Sequence, residues 1–255
     1  MSVKIKNLTI TYTGNKIVEI ESLELESGMF HTIIGMNGSG KTTLIKAISS
    51  MVARSCIEGS IKENGIEITH LSGKKLAERI AYVPQKISIE YDFSVEELVK
   101  MGGFRYKRAK ESLYKNIITK FGLLEFEKRS ILTLSGGEFQ RAQIARALYQ
   151  DAPVIVLDEP TAALDIAHSV ELYEYLKKLV KEDKKTVILI SHDLSYVANY
   201  CDSFILMYDG KIVEKGKAEL VMSEVNLMKF FKFGGKLEKI GGQYSLVEIK
   251  KEKKE

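Results

Sequence analysis

Nine residues near the start of the chain have the types and spacing to hold phosphate: Gly35, Met36, Asn37, Gly38, Ser39, Gly40, Lys41, Thr42 and Thr43. They fit G-x-x-x-x-G-K-[ST], in which glycines let backbone N–H groups converge on phosphate oxygens. Ahead of them, Phe30-His31-Thr32-Ile33-Ile34 reads as a buried strand, and behind them Leu44, Ile45, Ala47 and Ile48 recur at helical spacing. Strand, glycine loop and helix in that order bring a helix N-terminus, with its partial positive charge, to the anion. Lys41 is expected to reach the β- and γ-phosphates, and the Thr42 hydroxyl to sit on Mg²⁺. The stretch predicts a nucleoside triphosphate site.

A second group of residues carries the acids and bases. Val154-Ile155-Val156-Leu157 is a continuous apolar run, as expected of a parallel strand buried on both faces, and it ends in Asp158-Glu159-Pro160. Ligands of open α/β sheets bind at such strand ends. Asp158 is the expected Mg²⁺ partner. Two adjacent carboxylates repel if they point at one spot, so Glu159 is expected to polarise the attacking water as general base. Another buried run, Thr186 to Ile190, leads to Ser191-His192. A histidine at a strand end is often a satisfied turn residue. If this strand lies parallel to the one bearing Asp158, however, His192 emerges on the same sheet edge and could contact the γ-phosphate or orient the water.

Leu134-Ser135-Gly136-Gly137-Glu138 precedes a helical stretch, Phe139 to Leu148. It reads either as a glycine-rich N-cap or as a second anion nest without a lysine. One nucleotide does not need two nests, so the second reading makes sense if Ser135, Gly136 and Gly137 meet the nucleotide held by another copy of the chain. Tyr12 ends a strand-like run and reads as a half-buried strand aromatic or as a platform for a base.

The elements that must position these residues alternate between strand and helix, which predicts a mainly parallel sheet. Val3 to Lys6, Leu8 to Tyr12 and Ile17 to Ile20 form a β-rich opening, with a turn at Thr13-Gly14-Asn15. Asn64-Gly65 joins Ser60–Glu63 to Ile66–Ile68, and Asp209-Gly210 joins Phe204–Met207 to Ile212–Glu214, both as hairpins. Leu76 to Ile80 predicts a brief helix, and Ile80 to Val83 a strand stopped by Pro84. From Ser94 to Leu148 the chain is lysine-rich and helical: Ser94 to Glu97 opens one helix as a capping box, Gly102-Gly103 ends it, and Ala109 to Phe121 predicts a second. Ile166 to Val180 predicts an amphipathic helix with Ile166, Val170, Tyr173, Leu176 and Leu179 on one face. The expectation is a phosphate-loop α/β core (1–85 and 150–235) with an antiparallel β layer, an inserted all-helical subdomain (86–149) and a short tail (236–255).

The 255 residues, 45% hydrophobic and 28% charged, suit one large globular domain. No apolar run approaches the ~18–20 residues that span a bilayer, and the N-terminus has no signal-peptide core, so a cytoplasmic location is expected. Cys56 and Cys201 lack C-x-x-C spacing and are expected to be free structural thiols. The net charge of +4 is mild and gathers partly in Lys250 to Glu255, read as a solvated, frayed end. Nothing in it asks for nucleic acid.

Taken in order, Tyr12, the GMNGSGKTT loop, Gln85, LSGGE at 134–138, VIVLDEP at 154–160, Ala163-Leu164-Asp165 and His192 resemble the motifs of ABC-type ATPases, and LSGGEFQRAQIARAL is highly specific. The resemblance covers nearly the whole chain. It implies a head-to-tail pair of subunits sandwiching two ATPs, with Ser135 and Gly137 contacting γ-phosphate across the dimer and Asp165 lining the interface. It also implies that Tyr12 carries the adenine and that Gln85 links Mg²⁺ to the helical subdomain. That subdomain, through residues 85–130, would grip an integral membrane permease at the cytoplasmic face, supplied by an external substrate-binding protein.

Asp158 to His168 and Val95 to Gly102 are similar to the ATPase subunits of iron–siderophore, haem and cobalamin importers. Those usually continue Gly-Arg-x-Pro, whereas Gly103-Phe104-Arg105-Tyr106 follows Gly102 here. The alternatives are an importer ATPase for another metal ion such as zinc or manganese, or a soluble ABC ATPase of iron–sulfur cluster assembly. The soluble ones tend to read Ser-Gly-Leu-Asp where this chain has Ala162-Ala163-Leu164-Asp165.

Overall fold

The runs Phe30–Ile34, Val154–Asp158 and Thr186–Ile190 are buried at every position. Strands of that kind need cover on both faces. The computed structural model, which describes residues 2–86, 91–104, 106 and 110–248, shows how they obtain it. In chain order the first elements are β1 (Ser2–Tyr12), β2 (Asn15–Glu26), β3 (Phe30–Ile34), α1 (Lys41–Ile48), β4 (Ile57–Glu63), β5 (Ile66–Glu67), α2 (Gly73–Ala77) and β6 (Ile80–Val83). The helices α3 (Val95–Met101), α4 (Glu111–Lys120) and α5 (Gly136–Tyr149) follow, then β7 (Val154–Asp158), α6 (Ile166–Asp183), β8 (Thr186–Ile190) and α7 (Leu194–Tyr200). The chain continues through β9 (Ser203–Tyr208), β10 (Lys211–Gly216), α8 (Ala218–Val221), α9 (Glu224–Phe231), β11 (Gly235–Ile240) and β12 (Gln243–Glu248).

Among the described residues one sheet runs β10-β9-β3-β8-β7-β6, parallel throughout except for the β9–β10 hairpin at its edge. A second, antiparallel sheet runs β2-β1-β4-β5. Alternation along the parallel strands divides their side chains between two apolar cores. Ile33, Val156, Ile188 and Ile205 join α1 and the antiparallel sheet, while Phe30, Leu157, Leu189 and Phe204 join the helices α3 to α7 on the other face. The architecture is the expected phosphate-loop α/β core with an antiparallel layer and a helical stretch between β6 and β7. No described helix is long and apolar enough to cross a membrane.

Several elements differ in detail from the sequence expectation. Val3–Lys6 and Leu8–Tyr12 form one strand, because Asn7 takes a left-handed conformation (φ 48°) and its partner β4 shifts register there. Gly59 permits this, since a Cβ on it would stand 2.2 Å from the Asn7 carbonyl oxygen. The helix placed at Leu76 to Ile80 lies earlier, at Gly73–Ala77. Helix α4 starts at Glu111, and Ala109 lies outside the described residues. On α6 the buried stripe is Ser169, Leu172, Tyr173, Leu176 and Val180, whereas Ile166 is 74% exposed. Ile166 is the first residue of the helix, next to the exposed cap Asp165, whose side chain accepts from the His168 N–H at 2.9 Å.

Residues 235–248, expected as a short tail, form a hairpin seated on α7. The Asn199 amide donates to the Tyr244 carbonyl and accepts from the Tyr244 N–H, both at 2.8 Å, and Ser195 Oγ accepts from the Leu246 N–H at 3.3 Å. One side chain thus stands in for a neighbouring strand at the outer edge of β12. The frayed end at Lys250 to Glu255 lies outside the described residues. Replacing Asn199 by Ala removes both bonds from a half-buried strand edge, at a cost of about 1–2 kcal/mol. Thermal melts should show the midpoint falling by about 3–6 °C; an unchanged midpoint would mean the hairpin adds nothing to the fold.

Candidate active site

The phosphate loop is set by close approach of backbones. β3 delivers the chain to Gly35, whose φ of +148° and position leave no room for a side chain, as a Cβ would stand 2.2 Å from the Met207 carbonyl oxygen on β9. At Gly40 the chain turns again (φ +94°) and enters α1 beside Ile17 of β2. Inside the loop Lys41 Nζ donates to the Gly35 and Met36 carbonyls, each at 2.8 Å. Burial pushes the Lys41 ammonium below the usual lysine range, against the opposing pull of Glu159 and Asp158. Ser39 Oγ is buried with no partner. A buried hydroxyl without a partner and a lysine folded onto its own loop are what a phosphate group would satisfy.

The acidic pair follows from the register of β7 and β8. Asp158 sits beside Ile190 in parallel register, so Glu159 and His192 leave the sheet at the same edge. The Glu159 N–H donates to the Ile190 carbonyl at 3.0 Å, and Glu159 takes a left-handed conformation (φ 49°). That turn sends the neighbouring carboxylates to different partners. Buried Asp158 accepts from Thr42 Oγ1 at 3.4 Å. Glu159 Oε2 accepts from Gln85 Nε2 at 2.6 Å, and its Oε1 lies 2.7 Å from His192 Nε2.

The sequence reading missed the Gln85–Glu159 contact. It was legible in principle: β6 is parallel to β7, with Val83 beside Leu157, so Gln85 leaves the sheet at the edge where Glu159 does. Thr42 and Asp158 offer hard oxygen donors suited to Mg²⁺, an ion that keeps several waters and takes only one or two carboxylates. Among the described residues no group of three or more His, Cys, Asp or Glu could hold a metal.

Two predicted pieces lie apart from this cluster. Ser135 caps α5, its Oγ accepting from the Glu138 N–H while its own N–H donates to Glu138 Oε2. A Cβ on Gly137 would stand 3.0 Å from the Ala163 carbonyl oxygen, so the second nest packs on the turn that leads to Asp165. The Asp165 carboxylate is 65% exposed, and its Oδ1 lies 2.8 Å from His168 Nδ1. Among the described residues no hydrogen bond joins Ser135, Gly136 or Gly137 to Lys41, Thr42 or Thr43. Tyr12 is exposed at the end of the β1–β2 hairpin, whose return strand borders Gly40. One chain thus unites Lys41, Thr42, Gln85, Asp158, Glu159 and His192, and leaves Ser135–Gly137 with Asp165 on a separate face.

The model of the ABC transporter family matches residues 18–162, which contain both the phosphate loop and the acidic pair. The chain belongs to the ABC transporter family. It is 33% identical over 242 residues to the hemin import ATP-binding protein HmuV of Agrobacterium fabrum, covering 91% of this chain and 92% of that one. It is 31% identical over 228 residues to the cobalamin import ATP-binding protein BtuD of Halobacterium salinarum. That match covers 88% of this chain but only 57% of the relative, so the chain spans little more than half the length of that protein. Among solved structures, the dimeric ATP-binding cassette MJ0796 in a post-hydrolysis state bound to ADP and Pi superposes with a TM-score of 0.76. It is 29% identical, over 85% of this chain and 98% of that one.

Within this ABC site Asp158 is held against its own stability. Burial raises its carboxyl above the usual range, while the Thr42 hydroxyl, Lys46 and Lys41 pull the other way. A folded pKa above the unfolded one means that the ionised form destabilises the fold. The penalty sets in as pH rises through the unfolded value and is complete above the folded one. Asp158→Asn should therefore raise the melting midpoint of the nucleotide-free protein at pH 7 by about 1–3 °C. The gain should shrink as pH falls from 7 into the acid range, where the wild-type carboxyl also becomes neutral. Melts of both proteins across that range check it; a loss of stability at pH 7 would contradict it.

Proposed function

We propose that the chain is the ATP-hydrolysing subunit of a membrane importer, with an iron chelate such as a siderophore or haem, or cobalamin, as cargo. The observation that carries the enzymatic reading is the Glu159 carboxylate, gripped at one oxygen by Gln85 and at the other by His192, beside the cradle of Lys41, Thr42 and Asp158. In this reading Lys41 leaves the Gly35 and Met36 carbonyls to neutralise phosphate charge, and backbone N–H groups from Gly38 to Thr43 hold the phosphate oxygens. Met36 and Asn37 line the mouth of the same cavity with His192. Thr42, Asp158 and Gln85 would hold Mg²⁺, which when bound would neutralise charge developing on the phosphates. Glu159 takes a proton from the attacking water, while His192 orients that water or the γ-phosphate. Tyr12 is the adenine platform.

The site is half of a whole. Ser135, Gly136 and Gly137 form an anion nest that faces no phosphate of its own chain, and Asp165 stands exposed beside it. Head-to-tail pairing would bring that nest onto the phosphate loop of a second copy. The dimeric, nucleotide-bound state of the similar cassette supports this pairing.

A groove of about 530 Å³ between α2, β6, the end of α3 and the end of α5 supports the membrane partner. Met51, Met101 and Phe104 stand exposed along it, and the buried Ser49 and Tyr82 hydroxyls that line it have no partner. Exposed apolar side chains beside unsatisfied polar ones are what an inserted protein segment would cover. We assign this groove to the permease; Met101, Gly102 and Phe104 of its lining fall within residues 85–130, and the rest of the lining belongs to the core and to the end of α5. That contact would hold the chain at the cytoplasmic face of the membrane, and an external binding protein would supply the cargo. The cargo assignment rests on the names of the similar hemin and cobalamin import subunits. The division into a core (1–85, 150–235), a helical subdomain (86–149) and a short C-terminal part (236–255) belongs to the same reading.

Glu159→Gln should lower kcat for ATP hydrolysis by about 10²- to 10⁴-fold and accumulate an ATP-bound dimer on gel filtration. Turnover at the wild-type rate would remove Glu159 from the role of general base. Phe104→Asp should abolish recovery of a polytopic membrane protein on affinity purification from membranes while leaving ATP hydrolysis by the isolated chain intact. Undiminished recovery would move the docking site elsewhere.

A further inference from the structure

Behind the Glu159–His192 pair lies a group of tyrosines with no part in the chemistry assigned so far. Tyr173 of α6 is 1% exposed and stacks on two rings of α7: Tyr196 at 5.7 Å and 1°, and Tyr200 at 5.2 Å and 19°. Phenylalanine would serve that packing equally well. The hydroxyl is what needs explaining, because a buried polar group destabilises the fold unless it is hydrogen-bonded. It donates to Ser191 Oγ at 3.1 Å, inside the core. The same Oγ accepts from the Asp193 N–H at 3.1 Å, so one serine oxygen gathers the turn that flanks His192 on both sides.

The turn that follows Glu159 is fixed by its own backbone. The Glu159 carbonyl accepts from the Ala162 N–H at 3.2 Å, and the Thr161 carbonyl accepts from the Leu164 N–H at 3.0 Å. The Tyr173 hydroxyl therefore holds, from behind, the loop whose front face sets His192 against Glu159. His192 needs such support: its side chain is 46% exposed, and it meets Glu159 through a single ring nitrogen. Burial keeps the phenol protonated, and so a donor, throughout the working pH range.

We propose that Tyr173 is a positioning residue of the ATPase: its hydroxyl anchors Ser191 Oγ, and with it the Ser191–Asp193 turn, and so holds His192 Nε2 on the Glu159 carboxylate. This rests on the reading that Glu159 and His192 serve ATP hydrolysis. The effect falls on the chemical step, because neither the phosphate loop nor Tyr12 depends on the bond.

The test uses the full chain with Tyr173→Phe and Ser191→Ala, singly and together, and measures kcat, KM, ATP affinity and melting temperature. Tyr173→Phe should lower kcat about tenfold with KM and ATP affinity unchanged, as expected when reacting groups are misplaced by a fraction of an ångström. Ser191→Ala should do the same. The double variant should lose no more than Ser191→Ala alone, since that substitution already breaks the bond to Tyr173. In a His192→Ala background Tyr173→Phe should cost nothing further. A wild-type kcat for Tyr173→Phe would overturn the proposal. So would losses that multiply, or a fall in kcat accompanied by an equal fall in ATP affinity and a lower melting point, which is the pattern of plain unpacking. Activity of the wild type and silence of Glu159→Gln, measured alongside, separate the two levels: if both hold and Tyr173→Phe is normal, only the positioning role fails, whereas an inactive wild type removes the underlying reading and this inference with it.

Discussion

The parallel pairing of β7 with β8 is the constraint on which the site depends. Because Asp158 lies beside Ile190, the residues that follow each strand emerge together, and Glu159 meets His192 without any long loop to bring them there. The same register continues outward: β6 lies against β7 and delivers Gln85, and β3 lies against β8 and delivers the phosphate loop. Four parallel strands thus end at one edge, each presenting a piece of the site. A slip of one residue in any pair would turn its buried side chains to the other face. The two apolar cores that divide those faces therefore fix the chemistry as well as the fold.

Much of this was legible in the chain itself. The phosphate loop, the acidic strand end and His192 announce themselves because each follows an apolar run that can only be a buried strand, and strand ends are where α/β sheets bind ligands. The hairpins at Asn64-Gly65 and Asp209-Gly210 were equally plain, and both dipeptides take positive φ. What stayed hidden depends on tertiary contact. Gln85 is placed at the edge where Glu159 emerges only once β6 is known to pair with β7, and nothing in Leu237 or Leu246 says that their hairpin will be sealed by Asn199. The exposed face of Ile166 was misread because that residue opens the helix, next to the exposed cap Asp165. Tyr173 lay on the expected core face of α6, but periodicity sees its ring and not its hydroxyl.

The site also gives up stability for its chemistry. Asp158 is buried at a raised pKa, Ser39 keeps an unpartnered hydroxyl, and Glu159 holds a left-handed backbone conformation that a non-glycine residue adopts at a cost. These three features sit at one sheet edge, and each is relieved or used when a phosphorylated ligand and its cation arrive. The nest at Ser135–Gly137 shows no such tension, because its capping box is complete. In the proposed reading it is a finished surface that would meet a nucleotide held by a second copy of the chain.

The central claim is therefore that one chain supplies half of each ATP site. Mixing two defective variants tests it most directly: Lys41→Ala, which loses the phosphate loop but keeps Ser135 to Gly137, and Ser135→Arg, which keeps the loop but blocks the nest. Each alone should hydrolyse ATP at background rate. A mixture should recover activity, up to roughly a quarter of the wild-type rate, because random pairing in a symmetric dimer leaves one intact composite site in half of the pairs. A mixture no more active than its separate components, or full activity from Ser135→Arg alone, would contradict the account.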